Sequence, residues 1–195
     1  MRTIVIATRN EGKLKEFKDL FPTCKIISLK DIAYDKEIIE NGTTFEENAL
    51  LKARQVAKET GRIVIADDSG LEVMALGGKP GIHSARYASN HDATANNQFL
   101  LKNMEGIIDR RAQFVCVICM YHPDGRYVLA RGVCKGRITE APIGINGFGY
   151  DPCFYVEEYK KTMAELSPSI KNQISHRAMA IEKLKELTNE NFSFE

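Results

Sequence analysis

Two adjacent carboxylates, a hydroxyl and a glycine close a short apolar run in Ile63-Val64-Ile65-Ala66-Asp67-Asp68-Ser69-Gly70. The β-branched run reads as a strand buried on both faces. The ends of such strands are where α/β sheets present ligand sites. Successive strand side chains point to opposite faces, so Asp67 and Asp68 serve one ligand only if the strand stops before them. The expected division of labour puts one carboxylate on a cation or a water and the other on a turn. The plain alternative is an Asp-Asp-Ser-Gly turn, since these residue types favour turns.

Further groups suit an anionic, metal-associated ligand. Ala7-Thr8-Arg9-Asn10-Glu11-Gly12-Lys13-Leu14 joins a predicted strand to a predicted helix, a geometry that offers backbone N–H groups and a positive dipole end to a phosphate. It lacks the first glycine and the Ser/Thr of a Walker loop. Glu40 lies in a polar connection with no evident structural task. Glu40 and Asp68 together would suffice for Mg²⁺, which needs one or two carboxylates plus substrate phosphates. Glu46 reads as solvated, Glu47 as half of a capping box, and Lys52 as a solvated helix lysine.

Phe148-Gly149-Tyr150-Asp151 sets two aromatics around a glycine, with a carboxylate behind them. A base could stack on one ring while backbone groups or Asp151 read its polar edge; the alternative is a packed turn. Lys171 and the pair His176-Arg177 add cationic groups at the start of the last helix, where such a pair is usually on the surface. Lys79, His83 and Arg86 follow the acidic strand end and could touch a polyphosphate. No Ser-His-Asp or Cys-His order calls for a covalent mechanism.

The elements that must position these groups alternate in the first half. Arg2 to Ala7 is a strand. A helix follows with Leu14, Phe17, Leu20 and Phe21 on one face, stopped by Pro22, and then a strand from Lys25 to Leu29. Residues 30–42 form a polar surface connection. Thr44 and Glu47 make a capping box for a helix through Thr60, with Gly61 as its stop. Leu71 to Leu76 reads as a short helix broken by Gly77-Gly78, and 92–104 as a longer one. Strands at 111–122 and 126–135 flank Pro123-Asp124-Gly125, a hairpin signal. Cys153 to Val156 is a short strand, Thr162 and Glu165 cap a turn, and the last helix carries Ile174, Ala178, Ile181 and Leu184. The pattern predicts an α/β fold: a long mixed β-sheet flanked by helices, two-lobed, with a substrate cleft between the lobes.

The chain has 195 residues and a net charge of +1, with hydrophobic and charged shares of 44% and 27%. That suits one domain or two closely fused lobes. It offers no basic field for nucleic acid, and no apolar run long enough for a membrane span. No signal peptide is evident, and the chain reads as cytoplasmic. Of five cysteines, Cys116 and Cys119 form a CxxC, but inside a strand-like run with no second pair, so they read as buried core thiols.

The chain closely resembles the inosine/xanthosine triphosphate pyrophosphatase family along essentially its whole length. The resemblance rests on six motifs in order: Thr8-x-Asn10-x-Gly12-Lys13; Thr44-Phe45 through Lys52-Ala53; Ala66-Asp-Asp-Ser-Gly-Leu71; Leu76 through Gly81 with Ser84-Ala-Arg-Tyr87; Gly147-Phe-Gly-Tyr-Asp-Pro152; and Lys171 through His176-Arg177. Arg9 departs from the glycine of many members. The resemblance implies hydrolysis of ITP, dITP or XTP to the monophosphate and pyrophosphate, with Mg²⁺ or Mn²⁺, by a homodimer. It implies that Asp68 is the proton acceptor and a metal ligand, with Glu40 as the second ligand. Thr8, Arg9, Asn10, Glu11, Gly12, Lys13 and Lys52 would hold the triphosphate, and Ser69 would touch the substrate. Phe148, Gly149, Tyr150, Asp151, His176 and Arg177 would surround the base, with Lys171 on the nucleotide. Two other classes compete: a nucleotide sensor without turnover, which has no need of a water-activating carboxylate, and a single-stranded nucleic-acid binder, which the near-zero charge disfavours.

Overall fold

The computed structural model describes residues 3–191. Strands and helices alternate at first: β1 (Thr3–Ile6), α1 (Glu11–Leu20), β2 (Lys25–Ser28), α2 (Phe45–Thr60) and β3 (Val64–Val73). Arg2, the predicted first residue of β1, lies outside the described residues. The Asn10 side chain caps α1 by accepting the Lys13 N–H, and Thr44 caps α2 by accepting from Glu47. Both caps satisfy donors that the helix itself leaves unpaired. Gly61 ends α2 in the left-handed conformation, as predicted; glycine adopts it without a Cβ clash. The capping box differs in one contact, because the Glu47 carboxylate accepts the N–H and hydroxyl of Thr43, one residue ahead of the cap.

The second half supplies α3 (Ala93–Asn103), β4 (Arg111–Tyr121), β5 (Tyr127–Ile138), β6 (Phe154–Val156), β7 (Lys161–Thr162), α4 (Pro168–Ile174) and α5 (His176–Asn191). The predicted hairpin is present: the His122 N–H bonds the Arg126 carbonyl at its tip and the Ile138 N–H bonds the Arg110 carbonyl at its base. The Thr162–Glu165 capping box is formed as expected.

Three boundaries correct the sequence reading. β3 does not stop at Ala66 but continues through Asp67, Asp68, Ser69 and Gly70 to Val73. The predicted helix at 71–76 is therefore only a 3-10 turn, Met74–Leu76. Ser175 interrupts the last helix in an extended conformation, so Lys171 and Ile174 belong to α4 rather than α5.

Among the described residues the strands form one seven-stranded sheet in the order β2-β1-β3-β4-β5-β6-β7. β1 runs parallel to β2 and β3, while β6 is antiparallel to β5 and β7, so the sheet is mixed. The chain divides into two compact units. The first holds the described residues up to Asp68, Cys116–Gly132 and those from Arg177 onward; the second holds Ser69–Val115 and Val133–His176. In the first, Ile4, Ile6, Ile65 and Ile118 pack with Phe17 of α1 and Ile181 of α5. In the second, Leu71, Val73, Phe114, Ile138 and Phe154 pack with Leu100 and Met104. Cys116 and Cys119 are fully buried core residues, as expected.

Candidate active site

Because β3 runs on through both carboxylates, its pleat sends Asp67 and Asp68 to opposite faces of the sheet. Asp68 meets α2: one carboxylate oxygen accepts from Asn48 Nδ2 at 3.0 Å, and the other lies 3.6 Å from Lys52 Nζ. Asn48 and Lys52 are four residues apart on α2, which puts them on one helix face. Lys52 also donates to Glu40 Oε2 at 3.0 Å. It is buried, with 6% of its surface exposed, which overturns its reading as a solvated lysine. Burial opposes its charge, but Asp68, Glu40 and Asp67 outweigh that and raise its pKa. Burial likewise pushes Asp68 above the usual carboxylate range, with Lys52, Lys13 and Asn48 opposing the shift.

Glu40 and Asp68 thus flank one ammonium. Among the described residues, no group of three or more His, Cys, Asp or Glu could hold a metal ion. Hard oxygen donors in a pair fit a cation such as Mg²⁺ or Mn²⁺ that takes its other ligands from phosphate and water.

Asp67, on the other face, is not a turn residue. Its Oδ2 lies 2.9 Å from Lys13 Nζ and accepts from Arg177 Nη2 at 3.0 Å. A second nitrogen of Arg177 donates to Glu16 Oε2. Arg177 is the opposite of the expected surface residue, being 1% exposed. Burial works against its charge, but Asp67 and Glu16 prevail and hold its pKa well above the ordinary value. Glu16 was missed from sequence; its signal was its place three residues after Lys13, beside the apolar stripe of α1.

The side chains of the first loop are largely engaged within the protein. Asn10 is spent on the α1 cap, and the Asn10 N–H donates to the Thr8 hydroxyl at 3.2 Å. The Arg9 guanidinium donates to the Lys36 carbonyl at 2.7 Å, and Glu11 pairs with Lys30 at 3.3 Å. Both side chains therefore turn to the connection that carries Glu40. Gly12 and Lys13 are half-buried at the helix start.

The second unit builds the aromatic loop. Asp151 is buried, and its Oδ2 accepts the Phe148 N–H at 2.8 Å and Lys171 Nζ at 2.6 Å. Gly147 has φ +77°, and a Cβ there would strike the Asp151 carboxylate. The Tyr150 hydroxyl donates to the Ser84 carbonyl at 2.8 Å, and Asn97 Nδ2 donates to the Gly149 carbonyl at 2.9 Å. Tyr150 and Asp151 thus hold the loop, whereas Phe148 is only half-buried, with the Lys171 ammonium 4.5 Å from its ring centroid. His176, also buried rather than on the surface, stacks on Phe114 at 4.8 Å. Gly70 is needed because a Cβ would meet the Gly81 carbonyl and Ser84 Oγ; the same Ser84 hydroxyl accepts the Leu71 N–H at 2.8 Å. Ser69, half-buried, follows Asp68 directly in β3. Lys79, His83 and Arg86 are exposed.

The structure therefore gathers Glu40, Lys52 and Asp68 with Asn48 in one cluster, and Lys13 and Arg177 with Asp67 in another, both within the first unit. It gathers Phe148, Gly149, Tyr150, Asp151 and Lys171 in the second. Asn97 carries no mark in sequence that separates it from an ordinary polar position, whereas Asn48 and Ser84 fall within the second and fourth motifs of the resemblance without a role assigned to either.

Against known proteins, the model described as Ham1 family matches residues 4–187. A Staphylococcus aureus protein named dITP/XTP pyrophosphatase is 51% identical over 185 residues, covering 94% of this chain and 95% of its own length. A Bacillus licheniformis protein of the same name is 50% identical over 195 residues, covering 97% of this chain and 100% of its own. The solved structure of the S. aureus Ham1 protein superposes with a TM-score of 0.88 at 48% identity, covering 97% of this chain and 99% of that one.

Proposed function

The chain belongs to the Ham1 family, and from that membership we propose that it hydrolyses ITP, dITP and XTP to the nucleoside monophosphate and pyrophosphate. The observation that carries this reading is the Glu40–Lys52–Asp68 cluster, where the buried Lys52 and Asp68 meet a second, exposed carboxylate. Asp68 takes the proton of a water as that water attacks a phosphorus; the raised pKa makes it a stronger base than an ordinary aspartate. Lys52 and Lys13 neutralise charge on the departing pyrophosphate, and the Glu11 and Gly12 N–H groups at the start of α1 hold the chain of phosphates. A divalent cation, Mg²⁺ or Mn²⁺, held by Glu40 and Asp68 would supply charge neutralisation at the phosphate oxygens.

The purine stacks on Phe148, and Lys171, His176 and the loop backbone read its polar edge. Hypoxanthine and xanthine carry a carbonyl at the six-position where adenine carries an amino group, so adenine leaves a buried donor unpaired. In this reading Ser69 touches the nucleotide, and the active form is a homodimer. Arg177 serves from behind Asp67. Among the described residues no helix is long and apolar enough to cross a membrane. The five free cysteines suit a reducing compartment, and we place the enzyme in the cytoplasm.

Phosphorus NMR of an ITP digest tests the bond broken: IMP and pyrophosphate are expected, whereas IDP and orthophosphate would overturn the proposal. Asp68→Asn should leave the far-UV circular dichroism unchanged and lower kcat by about 10²–10⁴-fold. Near-normal turnover would remove Asp68 from its role.

A further inference from the structure

We propose that Asp67 is a positioning residue for phosphate binding: it fixes the Lys13 ammonium, and Arg177 in turn holds Asp67 in place. The inference rests on the hydrolase reading for the identity of the anion, a polyphosphate. Asp67 sits on the face of β3 turned to α1 and α5, the face on which Ile65 packs with Phe17 and Ile181, so its backbone is set by the core. Lys13 Nζ lies 2.9 Å from Asp67 Oδ2, with 17% of the lysine side chain exposed and only 1% of the aspartate. The anchor is thus inaccessible while the anchored cation keeps a path to solvent and to the mouth of the first loop.

Arg177 donates to the same Asp67 oxygen at 3.0 Å and also pairs with Glu16, so the carboxylate that anchors Lys13 is itself held in place. Of these two cations on Asp67, the one with appreciable exposure is Lys13. A lysine is a compact point charge on a flexible stem, so holding its end in place removes an ordering cost that anion binding would otherwise carry.

Calorimetry with inorganic tripolyphosphate at fixed Mg²⁺ tests this on the whole protein, for the wild type, Asp67→Asn, Lys13→Gln and the double variant. Each single change is expected to weaken binding by about ten-fold or more, with the double variant no weaker than Lys13→Gln alone. Additive losses, unchanged affinity in Asp67→Asn, or no binding by the wild type would each overturn the proposal. Should Asp67→Asn fail to fold, Lys13→Met decides. Removing one cation from buried Asp67 is expected to lower Tm and abolish the Tm rise that tripolyphosphate gives the wild type; an unchanged Tm and an unchanged rise would overturn the proposal. Absence of ITP turnover with the coupling intact would sink the hydrolase reading and leave the role of Asp67 standing.

Discussion

Phe148 is the half-buried aromatic of its loop, whereas Tyr150 is buried against Ser84. Stacking a base on such a ring contributes roughly 1–3 kcal/mol. Phe148→Ala is therefore expected to raise KM about five- to 150-fold with a smaller change in kcat. An unchanged KM would mean that the ring only packs. At this level the sequence marked most of the chemistry-bearing positions but misjudged their surroundings. Lys52 looked solvated because its partners, Glu40 and Asp68, lie 12 and 16 residues away in sequence, beyond any local pattern. Arg177 looked exposed for the same reason: Glu16 and Asp67 reach it from far along the chain. Charged residues are seldom fully buried unless paired, and the pairing became visible only in three dimensions.

The helix caps and the hairpin were legible because their signals are local. The predicted end of β3 at Ala66 was not, because turn propensity in Asp-Asp-Ser-Gly is overridden by the strand context, with β4 as the neighbour of β3 on the side away from β1. That override separates Asp67 from Asp68 and gives each its own task. The hairpin tip offers a test of its own. The Asp124 carboxylate accepts the Arg126 N–H at 3.0 Å and its Nε at 2.7 Å. The Arg126 N–H is the main cause of its pKa falling to about 2. A folded-state pKa below the unfolded value, about 3.9, means stabilisation that is present above that value and lost as pH falls through the folded one. In urea titrations Asp124→Asn should be less stable than the wild type at pH 6, with the gap closing near pH 2. A gap that persists undiminished at pH 2 would contradict this pairing.

The mixed sheet flanked by helices follows from strand-helix alternation in the first half and the hairpin in the second, and the observed strand order bears it out. Strand order itself was not legible, since it depends on which distant edges meet. Family membership was legible because six separated motifs fall in order, each fixing a cap, a loop or a carboxylate seen in the fold. The homodimer proposal is checked by sedimentation equilibrium, where a species of twice the chain mass is expected and a monomer at micromolar concentration would refute it.

The decisive measurement is pyrophosphate release from ITP, XTP, ATP, GTP and CTP, first with Mg²⁺ and then with EDTA. Fast, metal-dependent turnover of ITP and XTP with little on the other three is expected from a base site built on Phe148 and Lys171 and a metal pair at Glu40 and Asp68. Equal rates on all five would remove base reading from the aromatic loop, and no release from any of them would contradict the proposed enzyme outright.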